Sequence, residues 1–162
     1  MYVETIPGYY ANGSDFQYYN VSQAVGRWLI CSQEDVTLVQ WFLDEIYRLH
    51  WQYNGPGGPA DVYGPMVIDG VCGKQTEGWI TDFQYDSFVS GGIPMWGDGR
   101  VDRAAPGSTH SWRGTRYTIV VLNEKMRDIH PGLYGSQGTL TIPASCPPML
   151  AAIIAQIGPF GP

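Results

Sequence analysis

Between Ser32 and His50, apolar side chains recur at Val36, Val39, Leu43, Ile46 and Tyr47, close to the i, i+3, i+7 spacing that lines one face of a helix. Ser32 and Asp35 open this segment as S-x-x-D, which resembles a capping box, with the aspartate charge favourable at a helix start. The pattern ends near His50, before Asn54 and the breaker run GPGGP at 55–59. A second face, Thr76, Ile80 and Phe83, predicts a helix over Lys74–Ser87 that closes at Gly91-Gly92. It follows an Asp69-Gly70 pair suited to a turn, and Gly73 offers the same freedom to adopt a positive φ. Ile119, Leu122, Met126 and Ile129 predict a third helix from Thr115 to Ile129, with Pro131 just beyond its end. Three such helices can close one small core.

The remaining segments are read as additions to that core. Residues 1–20 are rich in tyrosine and broken by Pro7, Gly8 and Gly13, which predicts an extended arm, and a short helix is expected over Val21–Cys31. GTLTIP at 138–143 alternates as one short strand. MLAAIIAQI carries no charged face and predicts an apolar C-terminal helix, followed by GPFGP as an extended tail. The expected architecture is mainly α: an arm and short helix at 1–31, a three-helix domain at 32–130 with long Gly/Pro-rich loops, and a C-terminal strand, helix and tail at 131–162.

The chain has 162 residues, about one domain, and its 44% hydrophobic content with 15% charged residues is that of a folded protein. Its net charge of −6 and nine scattered Lys and Arg argue against nucleic acid. No 18-residue apolar run predicts a membrane span, and MYVETIPGYY lacks the basic start and apolar stretch of a signal peptide. The sequons at Asn12 and Asn20 are read as chance on that basis. Three cysteines, Cys31, Cys72 and Cys146, form no C-x-x-C pair, so at least one is unpaired within the chain. Buried reduced thiols are expected, with Cys31 and Cys146 as candidates for an intermolecular bridge.

Asp69, Gly70, Gly73, Thr76, Phe83 and Gln84 match the spacing D-G-x-x-G-x-x-T-x-x-A-x-x-x-F-Q, with Trp79 in place of the alanine. Asp35, Val36, Leu38, Gln40 and Leu43 approximate the opening D-V-x-x-L-Q-x-x-L. A second Asp-Gly turn, Asp98-Gly99-Arg100-Val101, is followed by the polar insertion APGSTHSWRGTR. On these residues, roughly 32–130 resembles the peptidoglycan-binding-like domain of cell-wall hydrolases. The resemblance implies a compact helical fold, a motif that builds a turn, and attachment to cell wall without catalysis.

Candidate chemistry is sparse. His50 and His130 fall at helix ends, where their partial positive charge suits the dipole, and His110 lies in the insertion, so no metal-ligating set is read. Glu34, Asp44, Glu45, Glu77 and Asp82 are expected on solvated helix faces rather than as a glycosidase pair. Asp98 and Asp102 are read as a turn rather than a calcium loop. No G-x-S-x-G elbow and no cysteine-nucleophile signature is present. Among the six tryptophans, Trp28 and Trp79 are expected in the core, while Trp51, Trp96 and Trp112 lie in loops and are candidate contact aromatics.

No catalytic residue, cofactor or metal is therefore expected. The preferred expectation is a structural or attachment subunit of a larger assembly such as a bacteriophage virion, made in the host cytoplasm and meeting other copies or other subunits through residues 1–20 and 147–162. The alternative is a peptidoglycan-binding module accessory to a muralytic enzyme, located in cell wall or periplasm.

Overall fold

The computed structural model describes residues 1–50, 58–135 and 140–157. Two antiparallel strands come first, β1 (Tyr2–Ile6) and β2 (Phe16–Asn20), in the register Tyr2↔Asn20 to Ile6↔Phe16. The helices follow as α1 (Gln33–Glu45), continued by a π-turn over Ile46–His50, then α2 (Pro59–Tyr63), α3 (Lys74–Gly91), α4 (Thr118–Ile129) and α5 (Pro148–Ile157). A 3-10 turn at Pro131–Tyr134 closes the end of α4.

This architecture corrects the mainly α expectation to mixed α/β. The segment 1–20 is no arm. Phe16, Tyr18 and Tyr19 are buried completely, with both faces of the strand covered at Tyr18 and Tyr19, as β1 pairs with β2 and β2 lies on α4. Asn123 of α4 takes the place of a neighbouring strand: its Oδ1 accepts from Tyr19 N and its Nδ2 donates to Tyr19 O, both at 2.9 Å. Arg127, one helical turn further, lies over the rings of Tyr10, Phe16 and Tyr134. Val21–Cys31, expected as a helix, is a loop anchored by the Val25–Val101 bridge and by Asp35. The Asp35 carboxylate accepts from Ser22 N, Ser22 Oγ and Gln23 N and pairs with the Met1 amine at 2.8 Å.

At the C-terminus, the expected apolar helix is not borne out in that form. Helix α5 is ten residues long and packs on α1, burying Leu150 and Ile154, while Met149 and Ile157 face outward. Among the described residues no helix is long and apolar enough to cross a membrane. Residues 140–143 form no strand; the rest of that expected strand, and the GPFGP tail, lie outside the described residues.

The core is filled by Val36, Val39, Trp41, Phe42 and Leu43 of α1, Ile80 and Phe83 of α3, and Ile119, Leu122 and Met126 of α4, with the hairpin aromatics. Ser32 caps α1 as expected, accepting from Asp35 N. Trp79 is buried, as expected; it lies edge-on to Tyr47 and donates Nε1 to Gly64 O. Gly78, inside α3, faces the Tyr63 ring so closely that a Cβ would lie 2.5 Å from it, which seats α2 on α3.

Candidate functional site

The motif residues build a scaffold that occurs twice. Gln40 of α1 donates Nε2 to Asp69 Oδ1 at 3.0 Å, Val71 O at 3.2 Å and Thr76 Oγ1 at 3.1 Å, and its Oε1 accepts from Gly70 N at 2.9 Å. Gln84 of α3 repeats the set. It donates to Asp98 Oδ1 at 3.1 Å, Arg100 O at 2.8 Å and Thr118 Oγ1 at 3.1 Å, and accepts from Gly99 N at 3.0 Å. Each buried glutamine thus satisfies a turn at the helix that follows it. The neighbours repeat as well: Thr37 bonds back to Gln33 O beside Gly70, and Thr81 bonds back to Glu77 O beside Gly99.

Asp69, Gly70, Thr76 and Gln84 are therefore structural, and Phe83 is a core residue. Gly73, expected to take a positive φ, instead sits at φ −102 as the N-cap of α3. Asp98 forms the turn, as read, with Oδ1 also accepting from Arg100 N at 3.0 Å.

The second turn leads into the polar insertion, and there the open surface lies. Residues 108–117 fold back on themselves: Ser111 N donates to Thr115 O at 2.7 Å, Tyr117 N to Thr109 O at 3.0 Å, and His110 bridges Arg116. Gly114, at φ +79, permits the reversal. Arg116 N donates to Pro94 O at 2.8 Å, bringing this loop beside the segment that carries Trp96. The result is a groove of about 540 Å³ lined by Trp96, Asp98, Asp102, Ser111, Trp112 and Arg113, among others. Trp112 is 87% exposed and Trp96 49% exposed. The Arg113 guanidinium lies over both rings, 4.5 Å from the Trp112 centroid and 5.4 Å from that of Trp96. Of the three contact aromatics expected, these two converge, and Trp51 lies outside the described residues.

The groove's carboxylates are engaged from one side, Asp98 by its turn and Asp102 by Arg100 at 3.6 Å. Arg103, on the rim, donates Nε to Tyr2 Oη at 2.8 Å. The surface offers two flat apolar rings, hydroxyl and carboxylate acceptors and guanidinium donors. That set suits an extended ligand with sugar faces and amide or hydroxyl edges.

Other sequence candidates fall elsewhere. Trp28 was expected in the core and is instead 84% exposed, with Arg27 stacked 4.3 Å from its ring centroid. Glu45 was expected in solvent and is 1% exposed, held by Arg48 and by His130 Nε2 at 2.6 Å. Glu34 is exposed, and Asp44, Glu77 and Asp82 are half-buried. His110 is exposed and contacts Thr109 Oγ1. Glu124 contacts Tyr9 Oη and Arg116 where α4 meets the hairpin loop, away from the groove lining. Burial pushes its carboxyl up, to about 7, although the charge of Lys125 pulls the other way. Cys31 and Cys72 are half-buried and Cys146 is buried. Among the described residues no three His, Cys, Asp or Glu side chains are grouped to hold a metal ion.

What the sequence reading missed is the insertion's role in uniting the tryptophans. The only local signal was Trp112-Arg113-Gly114, a bulky pair before a turn glycine. Compared with protein-family models, with curated proteins and with solved structures, the chain gives no match.

Proposed function

We propose that this protein is a non-catalytic attachment module that holds a cell-wall glycan strand against the groove between Trp96 and Trp112. The observation that carries the reading is the pairing of two exposed indoles through Arg113 over a groove of about 540 Å³ with charged and hydroxyl walls. Exposed indoles bring little to the core and are suited to stacking on sugar rings. Peptidoglycan adds amide and carboxylate groups that guanidinium and hydroxyl neighbours can bind. The resemblance of residues 32–130 to wall-binding domains points the same way.

Co-sedimentation with insoluble peptidoglycan tests this. The protein is expected in the pellet, and Trp112→Ala with Trp96→Ala is expected to weaken retention about tenfold or more, since each stacked ring contributes on the order of 1 kcal/mol. Recovery no higher than that of an unrelated acidic protein would refute the reading.

A second reading, a subunit of a larger assembly such as a virion, is favoured by the outer face of α3. Tyr85, Phe88 and Val89 stand exposed together on it, an apolar surface suited to a protein neighbour. Residues 1–20 support this reading less than the sequence alone did, because their inner side chains are committed to the chain's own core.

A further inference from the structure

We propose that the pocket between α1 and α2 binds an alkylammonium group, carried by a free small amine or by the side chain of a lysine. This pocket shares no lining residue with the Trp96–Trp112 groove and is independent of the attachment reading.

Three elements shape it. Asp44, Tyr47 and Arg48 stand at i, i+3 and i+4 where α1 passes into its π-turn, a spacing that lets all three line one pocket. The contact of Gly78 with Tyr63 seats α2 on α3, and Pro59 of α2 lines the pocket together with Met66. Trp79, the residue after Gly78, completes the lining. Its Nε1 donates to Gly64 O at 3.3 Å and its ring meets Tyr47 edge-on with centroids 5.3 Å apart, so the indole is held in place. The space is about 170 Å³, smaller than the roughly 300–1,000 Å³ of sites for drug-sized ligands, and suits a group of side-chain size.

Apart from Asp44 and Arg48, the lining side chains are apolar or aromatic. These two charges do not satisfy each other. Arg48 Nη2 is engaged with Glu45, and Arg48 Nε stays 3.9 Å from Asp44 Oδ2, beyond hydrogen-bonding distance. Among the described residues the Asp44 carboxylate accepts no hydrogen bond. Burial raises this carboxyl above its ordinary value, although the Arg48 charge pulls the other way. An ammonium supplies what the site lacks, three donors and the opposite charge, while its aliphatic stem can lie along Pro59, Met66 and Trp79. A neutral apolar guest leaves the carboxylate without a donor, and an anion is repelled by it.

The test is an NMR titration of the full chain, labelled with nitrogen-15, at neutral pH. The signals followed are the Trp79 indole N–H and the backbone amides of Asp44, Tyr47 and Arg48. The probes are n-butylamine, its uncharged counterpart n-butanol, and N-acetyl-lysine N-methylamide. Butylamine is expected to shift these signals saturably and to bind about tenfold or more tighter than butanol, the effect of one charged hydrogen bond. Asp44→Asn should erase that preference while leaving the binding of butanol and the rest of the spectrum unchanged. Binding of the lysine amide as tight as that of butylamine would assign the group to a polypeptide lysine, and binding about tenfold weaker would assign it to a free amine. No saturable shift at these signals, equal binding of amine and alcohol by the parent, or an undiminished preference in Asp44→Asn would each overturn the proposal.

Discussion

Gly70 and Gly99 occupy equivalent places, at φ +73 and φ +68, and both are pressed against a threonine hydroxyl and a backbone carbonyl of the preceding helix. An alanine at either site carries a left-handed backbone penalty of about 1 kcal/mol and a steric one besides. At Gly70 the added methyl would sit 2.4 Å from Gln33 Cγ and 2.9 Å from Thr37 Oγ1. The Gln33 side chain is exposed and can swing aside, but Thr37 is buried and cannot. Gly70→Ala is expected to destabilise by about 2–4 kcal/mol in denaturant titration, and Gly99→Ala, whose nearest contacts are 2.9 Å, by somewhat less. Equal stability to the parent would mean that the turns are not pinned as described. Trp28 shows the opposite relation. It alone among the described non-glycine residues has positive φ, at 70°, yet it is almost wholly exposed. Relief of backbone strain slightly exceeds the added unfolded-state entropy of glycine, so Trp28→Gly should leave stability unchanged or raise it by up to about 1 kcal/mol. A loss of more than that would assign the Arg27–Trp28 stack a structural role. An exposed indole held at some cost to the fold is a feature to expect of a contact residue.

At the scale of elements, legibility followed the locality of the chemistry. Helices α1, α3 and α4 were readable because their apolar faces repeat within each segment, and the Asp-Gly turns because Asp69 and Asp98 cap their own backbones two residues on. The duplication of Gln33, Thr37 and Gln40 by Glu77, Thr81 and Gln84 is also written in the chain. It becomes meaningful only when each glutamine is seen to serve a turn far along the sequence, since a glutamine at either position reads equally well as solvated. The β1–β2 hairpin was missed for the same reason. Pro7, Gly8 and Gly13 mark a turn, but whether Phe16, Tyr18 and Tyr19 lie in a core depends on Asn123 and Arg127, supplied by α4. Trp96 and Trp112 were legible as loop aromatics; their convergence was not, because it rests on the Arg116–Pro94 backbone bond and on the fold of the insertion.

For the molecule as a whole, Glu45 joins parts that no local pattern connects. From the end of α1 its carboxylate contacts Arg48 and reaches His130 at the end of α4, and Ser145, just before α5, is among the groups that lower its pKa. Burial pushes this carboxyl up, but His130, Ser145 and Arg48 outweigh it and hold it below the ordinary carboxylate range. A group depressed in the folded state contributes stability above its unfolded pKa, and that contribution is lost as pH falls through the folded value. The protein should therefore lose stability on acidification below about pH 4.5, the region where an unperturbed glutamate begins to take up its proton. In Glu45→Gln that part of the acid dependence should vanish, while stability near pH 7 drops by about 2–4 kcal/mol because Arg48 and His130 lose their common acceptor charge. Chemical denaturation at a series of pH values separates the two effects. Parallel acid limbs in parent and variant would show that Glu45 does not couple α1 to the C-terminal segments. A flatter limb in the variant would make this carboxylate the joint through which the helical core holds the chain's last helix in place.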